Sequence, residues 1–277
     1  CDYGSFTSSP LINTLASTVA EPDLSVTLYT SLTAFEAGDT VNYTCVIQHQ
    51  SYSNSAAYQV RVVIPIDDKL YLKGVTTTTS IGTFISGTTA GDPKVELVFT
   101  PYINGTIVYI SFQAVGKVEV TPNQLIQTVA TATYESLPTA SQLTAYGIVQ
   151  ARAYTAVGNL TNMANIYLIA PPPTLVAGVQ STSPYLTGTT VAIGETLTFL
   201  ASFYIPAGTT PGLTATLQMA TGSNGVVQVL EGHVLSKGLI NSTLLPVNAS
   251  ATSITDTDGD GYSDRVLFDF GVARNYP

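Results

Sequence analysis

Short runs of alternating apolar and polar residues organise this chain. In Thr40-Val-Asn-Tyr-Thr-Cys-Val-Ile47 a period of two places Val41, Tyr43, Cys45 and Ile47 on one face and Asn42 on the other. The same alternation predicts strands near 24–33, 39–49, 57–65, 94–100, 105–116, 125–136, 145–155 and 162–170. Residues 74–92, with successive threonines and several glycines, read as turn or loop. Ala170-Pro-Pro-Pro173 is stiff and cannot join a central ladder, so it marks a boundary. A second strand set follows near 175–180, 190–205, 213–220, 226–235 and 265–271. No segment combines a 3.6-residue period with caps over three turns, which predicts an all-β chain.

The two sets look like repeats. Pro22-Asp-Leu-Ser-Val26 followed by Ala37-Gly-Asp-Thr-Val-Asn-Tyr43 is echoed by Pro173-Thr-Leu-Val-Ala177 followed by Ile193-Gly-Glu-Thr-Leu-Thr-Phe199. Arg265-Val-Leu-Phe-Asp-Phe-Gly271 resembles Lys94-Val-Glu-Leu-Val-Phe-Thr100. On this mapping the second repeat lacks counterparts of the strands at 105–116, 125–136 and 162–170. At the other end, Leu11-Ile-Asn-Thr-Leu-Ala-Ser-Thr18 echoes Leu125-Ile-Gln-Thr-Val-Ala-Thr-Ala132, a strand that closes the first repeat. A strand without a sheet beside a sheet short of strands suggests subunits that complete one another. The competing explanation is a window cut from a longer tandem chain, with the missing strands following in cis.

Pro22-Asp-Leu-Ser-Val26, Ala37-Gly-Asp-Thr-Val-Asn-Tyr-Thr44, Ala57-Tyr-Gln-Val-Arg-Val-Val-Ile-Pro65 and Thr131-Ala-Thr-Tyr-Glu-Ser-Leu-Pro138 resemble the conserved-repeat family often called domain of unknown function eleven. Thr189-Thr-Val-Ala-Ile-Gly-Glu-Thr-Leu-Thr-Phe199 with Ile205-Pro-Ala-Gly-Thr-Thr210 is similar to a second variety of that repeat. The resemblance implies immunoglobulin-like sandwiches in secreted or cell-surface proteins that serve as stalks, adhesins or fibre subunits. The pattern also looks like subunits of extracellular glycosylated fibrils. The expected organisation is an N-terminal arm over 1–22, a β-sandwich over 23–170 and a second, incomplete sandwich over 171–277.

Charge narrows the partners. Only 10% of the 277 residues are charged and the net charge is −9. No basic stripe exists to neutralise phosphates, which argues against nucleic acid and against an anionic membrane surface. No apolar run is long enough to span a bilayer. So few charges on a surface invite covalent sugar as the source of hydration. Five Asn-X-Ser/Thr sites occur, at Asn42, Asn104, Asn159, Asn241 and Asn248. Cys1 and Cys45 could form one disulfide, within or between chains, or remain free; a lipidated Cys1 is a further alternative.

The sharpest local motif is Asp256-Thr-Asp-Gly-Asp-Gly-Tyr-Ser-Asp264. Carboxylates at positions 1, 3, 5 and 9 with Gly at 6 match the front of a calcium loop, but Leu267 stands where an EF-hand needs Glu. Asp256, Asp258, Asp260 and Asp264 would offer side-chain oxygens and Tyr262 a carbonyl; a solvated acidic turn is the plain alternative. Catalysis has little to work with. His49 and His233 fall in different repeats, and the neighbouring Asp67 and Asp68 point apart on an extended chain. The sixteen tyrosines, such as Tyr43 and Tyr58, mostly occupy strand positions and read as packing residues.

The function expected from all this is a non-enzymatic, extracellular, glycosylated filament subunit that polymerises head to tail with copies of itself. Leu11, Ile12, Leu15 and Val19 of the arm would fill pockets in the next subunit, Leu11, Leu15 and Val19 from one face and Ile12 from the other. The alternative is a surface adhesin or carbohydrate-binding stalk module contacting sugar or protein.

Overall fold

The computed structural model describes residues 20–77, 81–138, 153–155, 163–169, 172, 174–182, 194, 196–219, 228–238, 240–246 and 248–277. All regular structure among the described residues is strand, so the chain is all-β.

The first body holds β1 (Leu24–Thr30), β2 (Thr40–His49), β3 (Tyr58–Pro65), β4 (Leu70–Thr77), β5 (Thr83–Ser86), β6 (Lys94–Phe99), β7 (Ile107–Gly116), β8 (Leu125–Glu135), β9 (Ala153–Thr155) and β10 (Met163–Ile169). They form two antiparallel sheets, ordered β1-β2-β7-β4 and β10-β8-β3-β6-β5, with β9 also on β8. The period-two pattern explains the layering. Val41, Tyr43, Cys45 and Ile47 of β2 are at most 1% exposed, and Val60, Val62 and Ile64 of β3 face them from the other sheet at the same depth. Tyr43 lies flat on Phe112 of β7, ring centroids 4.8 Å apart. Buried side chains of this size each contribute about 1.5–3 kcal/mol through removal from water.

Residues 74–92 correct the sequence expectation, because they contain the end of β4 and all of β5. The register of β4 on β7 slips between Leu72 and Gly74 and again between Val75 and Thr77, and β5 slips on β6 between Phe84 and Ser86. Each bulge breaks the two-residue alternation from which a strand would be read.

The second body holds β11 (Thr174–Thr182), β12 (Leu197–Tyr204), β13 (Gly208–Gln218), β14 (Ile240–Ser242), β15 (Ser253–Thr255) and β16 (Arg265–Asn275). Among the described residues β11 pairs with β12 alone; β16 is central to the other sheet, with β13 on one edge and β14 and β15 on the other. The core is small: Ile205, Leu213, Val234, Phe270 and Ala273, flanked by Phe203 and Phe268. The strand expected near 226–235 is not found in its described part, where His233 makes only an isolated bridge to Ser250.

Main-chain bonds weld the two bodies. Ala37 N donates to Ala207 O at 2.9 Å and Thr209 N to Val120 O at 2.8 Å. The Thr209 hydroxyl donates to Val118 O at 2.8 Å.

Candidate assembly site in the second body

The second body repeats a piece of the first. On β3 and β6, Arg61 faces Val98, Val62 faces Leu97, Val63 faces Glu96 and Ile64 faces Val95. On β13 and β16, Thr214 faces Asp269, Ala215 faces Phe268, Thr216 faces Leu267 and Leu217 faces Val266. Aligning β16 with β6 through Arg265 and Lys94 sets the later strand β15 on one edge, as β5 is on β6, and the earlier strand β13 on the other, in the place of β3. In the first body β3 is flanked by β6 and by β8. In the second, β13 has β16 on one edge, and beyond Thr209 its other edge pairs with no strand among the described residues.

β12 shows the same deficit. Its counterpart β2 lies between β1 and β7, whereas among the described residues β12 has β11 alone. The cost is visible in exposure. Tyr43 is 1% exposed beneath β7, but Phe199, at the matching position after the Gly-acid-Thr turn, is 38% exposed. Val176 and Leu200 are 70% and 41% exposed. On β13, Leu213 is buried but Ala215 and Leu217 are only partly covered, while Val60, Val62 and Ile64 are sealed. Unpaired backbone beside exposed apolar side chains templates the addition of another strand.

The arm residues Leu11, Ile12, Leu15 and Val19, together with Cys1 and Asn159, lie outside the described residues. Cys45 is a free thiol buried in the first core, and burial pushes its pKa up to about 12. A sealed neutral thiol is a poor disulfide partner. The other sequon asparagines, Asn42, Asn104, Asn241 and Asn248, are all exposed. Asn42 sits on the outer face of β2 and accepts a hydrogen bond from Gln113 Nε2 at 2.8 Å. Asn104 donates through Nδ2 to Ser53 O at 2.8 Å.

In the acidic loop, Asp256, Asp258 and Asp260 each bring an oxygen within 4.8 Å of the others. Asp256 accepts from Gly259 N and Gly261 N, which holds its carboxyl below the usual range. Asp258 accepts from Asp260 N, which lowers its pKa, but partial desolvation and the neighbouring acids outweigh that bond and raise it. A divalent cation would relieve that repulsion, so the trio fits a hard, oxygen-seeking ion such as calcium. Of the other two expected ligands, Asp264 is placed differently. Asp264 turns inward, 3% exposed, and accepts from Thr257 N, the Thr257 hydroxyl and Gln218 Nε2. Tyr262 donates its amide to Asp260.

His49 serves a polar staple. Its Nε2 lies 3.1 Å from Tyr102 O and its Nδ1 2.7 Å from Ser53 Oγ. A carbonyl only accepts, so Nε2 carries the proton and Ser53 donates to Nδ1. Ser53 Oγ in turn accepts from Asp23 N. The staple thus fastens residues 21–23, where Asn54 also accepts from Glu21 N. His233 is exposed beside Glu231. Asp67 caps a turn by accepting from Lys69 N, and Asp68 pairs with the Lys69 ammonium. Tyr43, Tyr102 and Tyr134 are core residues, whereas Tyr29, Tyr71 and Tyr109 stand out from the β1-β2-β7-β4 sheet, 46–56% exposed.

No family model matches the chain, and no curated protein does. Among solved structures it is similar to BcpA, the major pilin subunit of Bacillus cereus, at 12% identity and a TM-score of 0.36. That match covers 68% of this chain and 57% of the pilin. A C-terminal fragment of the Streptococcus agalactiae major pilin GBS80 matches at 7% identity and a TM-score of 0.37, over 90% of this chain and 77% of the fragment. The Corynebacterium diphtheriae major pilin SpaD matches at 11% and 0.33, over 91% and 49%. The chain spans little more than half of the BcpA chain and about half of SpaD. TM-scores of this size mark loosely similar β-rich chains.

Proposed function

We propose that this chain is a structural subunit of an extracellular glycosylated filament, assembled head to tail by β-strand complementation. The N-terminal arm, residues 1–22, enters the open second sandwich of the next copy. The observation that supports this reading is that β12, and β13 beyond Thr209, each pair with a strand on one edge alone among the described residues, with Phe199 and Leu200 of β12 exposed. Main-chain hydrogen bonds would supply continuity, and the contact is heterologous, so it propagates an open fibre. The exposed sequon asparagines suit covalent glycans, which would hydrate a weakly charged surface.

Deleting residues 1–20 is expected to abolish filaments seen by electron microscopy while the first body stays folded. Filaments of normal length from that variant would overturn the reading. Intact mass before and after deglycosylation tests the sugar coat independently. The exposed Tyr29, Tyr71 and Tyr109 on one sheet face support the second reading, a carbohydrate-binding stalk. Glycan-array binding lost in Tyr109→Ala, with no filaments formed by the intact chain, would favour it.

A further inference from the structure

The internal repeat specifies more than an open edge. β3 tells which strand belongs on β13, because β8 lies against β3 in antiparallel register, Val63 opposite Thr131, Val62 opposite Ala132 and Arg61 opposite Thr133. The eight arm residues Leu11–Thr18 echo residues 125–132, within that same strand. The arm thus carries a second copy of the sequence that β3 has beside it and that β13, among the described residues, does not.

Burial along β8 sorts its residues into two rows. Ile126, Thr128, Ala130 and Ala132 are at most 2% exposed, whereas Leu125 is 54% exposed and Gln127 also faces out. Carried across the echo, the inward row becomes Ile12, Thr14, Ala16 and Thr18. Leu11 and Leu15 take the places of Leu125 and Val129 and fall on the outer row. Inward positions filled by small residues match a strand wedged between sheets, where a larger side chain would overpack.

Building on the strand-exchange reading, we infer that the donor arm docks on the free edge of β13 in the place of β8, antiparallel, with Ser17 opposite Thr216 and Thr18 opposite Ala215. Ile12, Thr14, Ala16 and Thr18 face the acceptor core. This assigns both the acceptor strand and the face of the arm, and it sets Ile12, rather than Leu11, Leu15 and Val19, as the anchoring apolar residue.

The test uses the full chain with Cys1→Ser. Ser17→Cys paired with Thr216→Cys is expected to give a ladder of covalent multimers on non-reducing gels of assembled protein, whereas Thr18→Cys with Thr216→Cys gives at least tenfold less. A ladder from the second pair alone overturns the register. Cross-linked monomers in place of multimers overturn the exchange between copies. Charge scanning reads the face: Ile12→Asp and Ala16→Asp are expected to lose filaments, and Leu11→Asp and Leu15→Asp to keep them. The opposite pattern overturns this inference while the strand-exchange function stands. Filaments from the chain lacking residues 1–20 would instead remove that function itself.

Discussion

Glu36 of the first body accepts the Tyr204 hydroxyl of the second through both carboxylate oxygens, at 2.7 and 2.8 Å. The same carboxylate accepts Ala207 N at 2.8 Å, and its own amide donates to Asp39. One side chain thereby fixes the strand β12 and the turn before β13. The bond to Glu36 raises the Tyr204 pKa above 10.0. A raised pKa means the joint's contribution is complete below pH 10 and fades as pH climbs through the higher folded value. Tyr204→Phe is expected to cost about 1 kcal/mol in denaturant melts, a value kept small by solvent exposure. Glu36→Ala, which also orphans the Ala207 amide, is expected to cost more and to admit protease near residue 206.

Acid should destabilise the first body in two stages. Burial lowers the His49 pKa below its usual 6.5 despite the Tyr102 carbonyl it binds. The staple is therefore fully stabilising above pH 6.5 and lost as pH falls through the folded value. Glu96, held by Lys94 and by Arg61, has its pKa lowered below 4.5, so its share persists to that pH and then disappears. Melting temperature followed from pH 8 to 3 is expected to show both steps. His49→Gln should erase the first step and Glu96→Gln the second.

Tyr102 should be among the least replaceable side chains. It is fully buried, packs edge-on against Phe99 and stacks on His49. Its hydroxyl lies 2.7 Å from both Ile47 O and Thr106 O. Tyr102→Phe leaves these carbonyls without that donor at a cost of about 1–3 kcal/mol. Chemical denaturation measures it, with an unchanged slope expected.

Calcium at the acidic loop would neutralise the repulsion around Asp258. Adding millimolar calcium to chelator-treated protein is expected to raise the melting temperature of the second body by a few degrees. Asp258→Asn should remove that response, and Asp264→Asn should instead lower stability with or without the ion, because Asp264 already holds Thr257 and Gln218. Equal melting with calcium and with chelator would discard the ion.

Much of the architecture could be read from residue order because alternation survives wherever strands are regular. Val41 to Ile47 is the clearest instance, and the Gly-acid-Thr turns located both copies of the strand that follows. β4 and β5 escaped because their bulges shift the inward row. The run 226–235 carries suitable residues, yet β16 already has β14 and β15 on the edge opposite β13, and apolar content alone made no ladder of the described part, 228–235. At the acidic loop, spacing suggested four equivalent carboxylates. Only the fold reveals that Gln218, distant in sequence, takes Asp264 out of the group. The Ser53–His49 staple offered no signal beyond a lone histidine at a strand end, since its partners Asp23 and Tyr102 are brought in by chain reversal.

β13 begins where Thr209 is bonded to Val118 and Val120 and runs on into the edge that is unpaired among the described residues. A pull along that edge would reach the first body through β13 itself, past the irregularity between Thr210 and Thr214. The ladder bonds of β13 on β16 lie across the line of pull, so they are loaded together in shear instead of unzipping singly. In a filament assembled as proposed, a strand laid on that edge would hand its load to the first body through the backbone of β13.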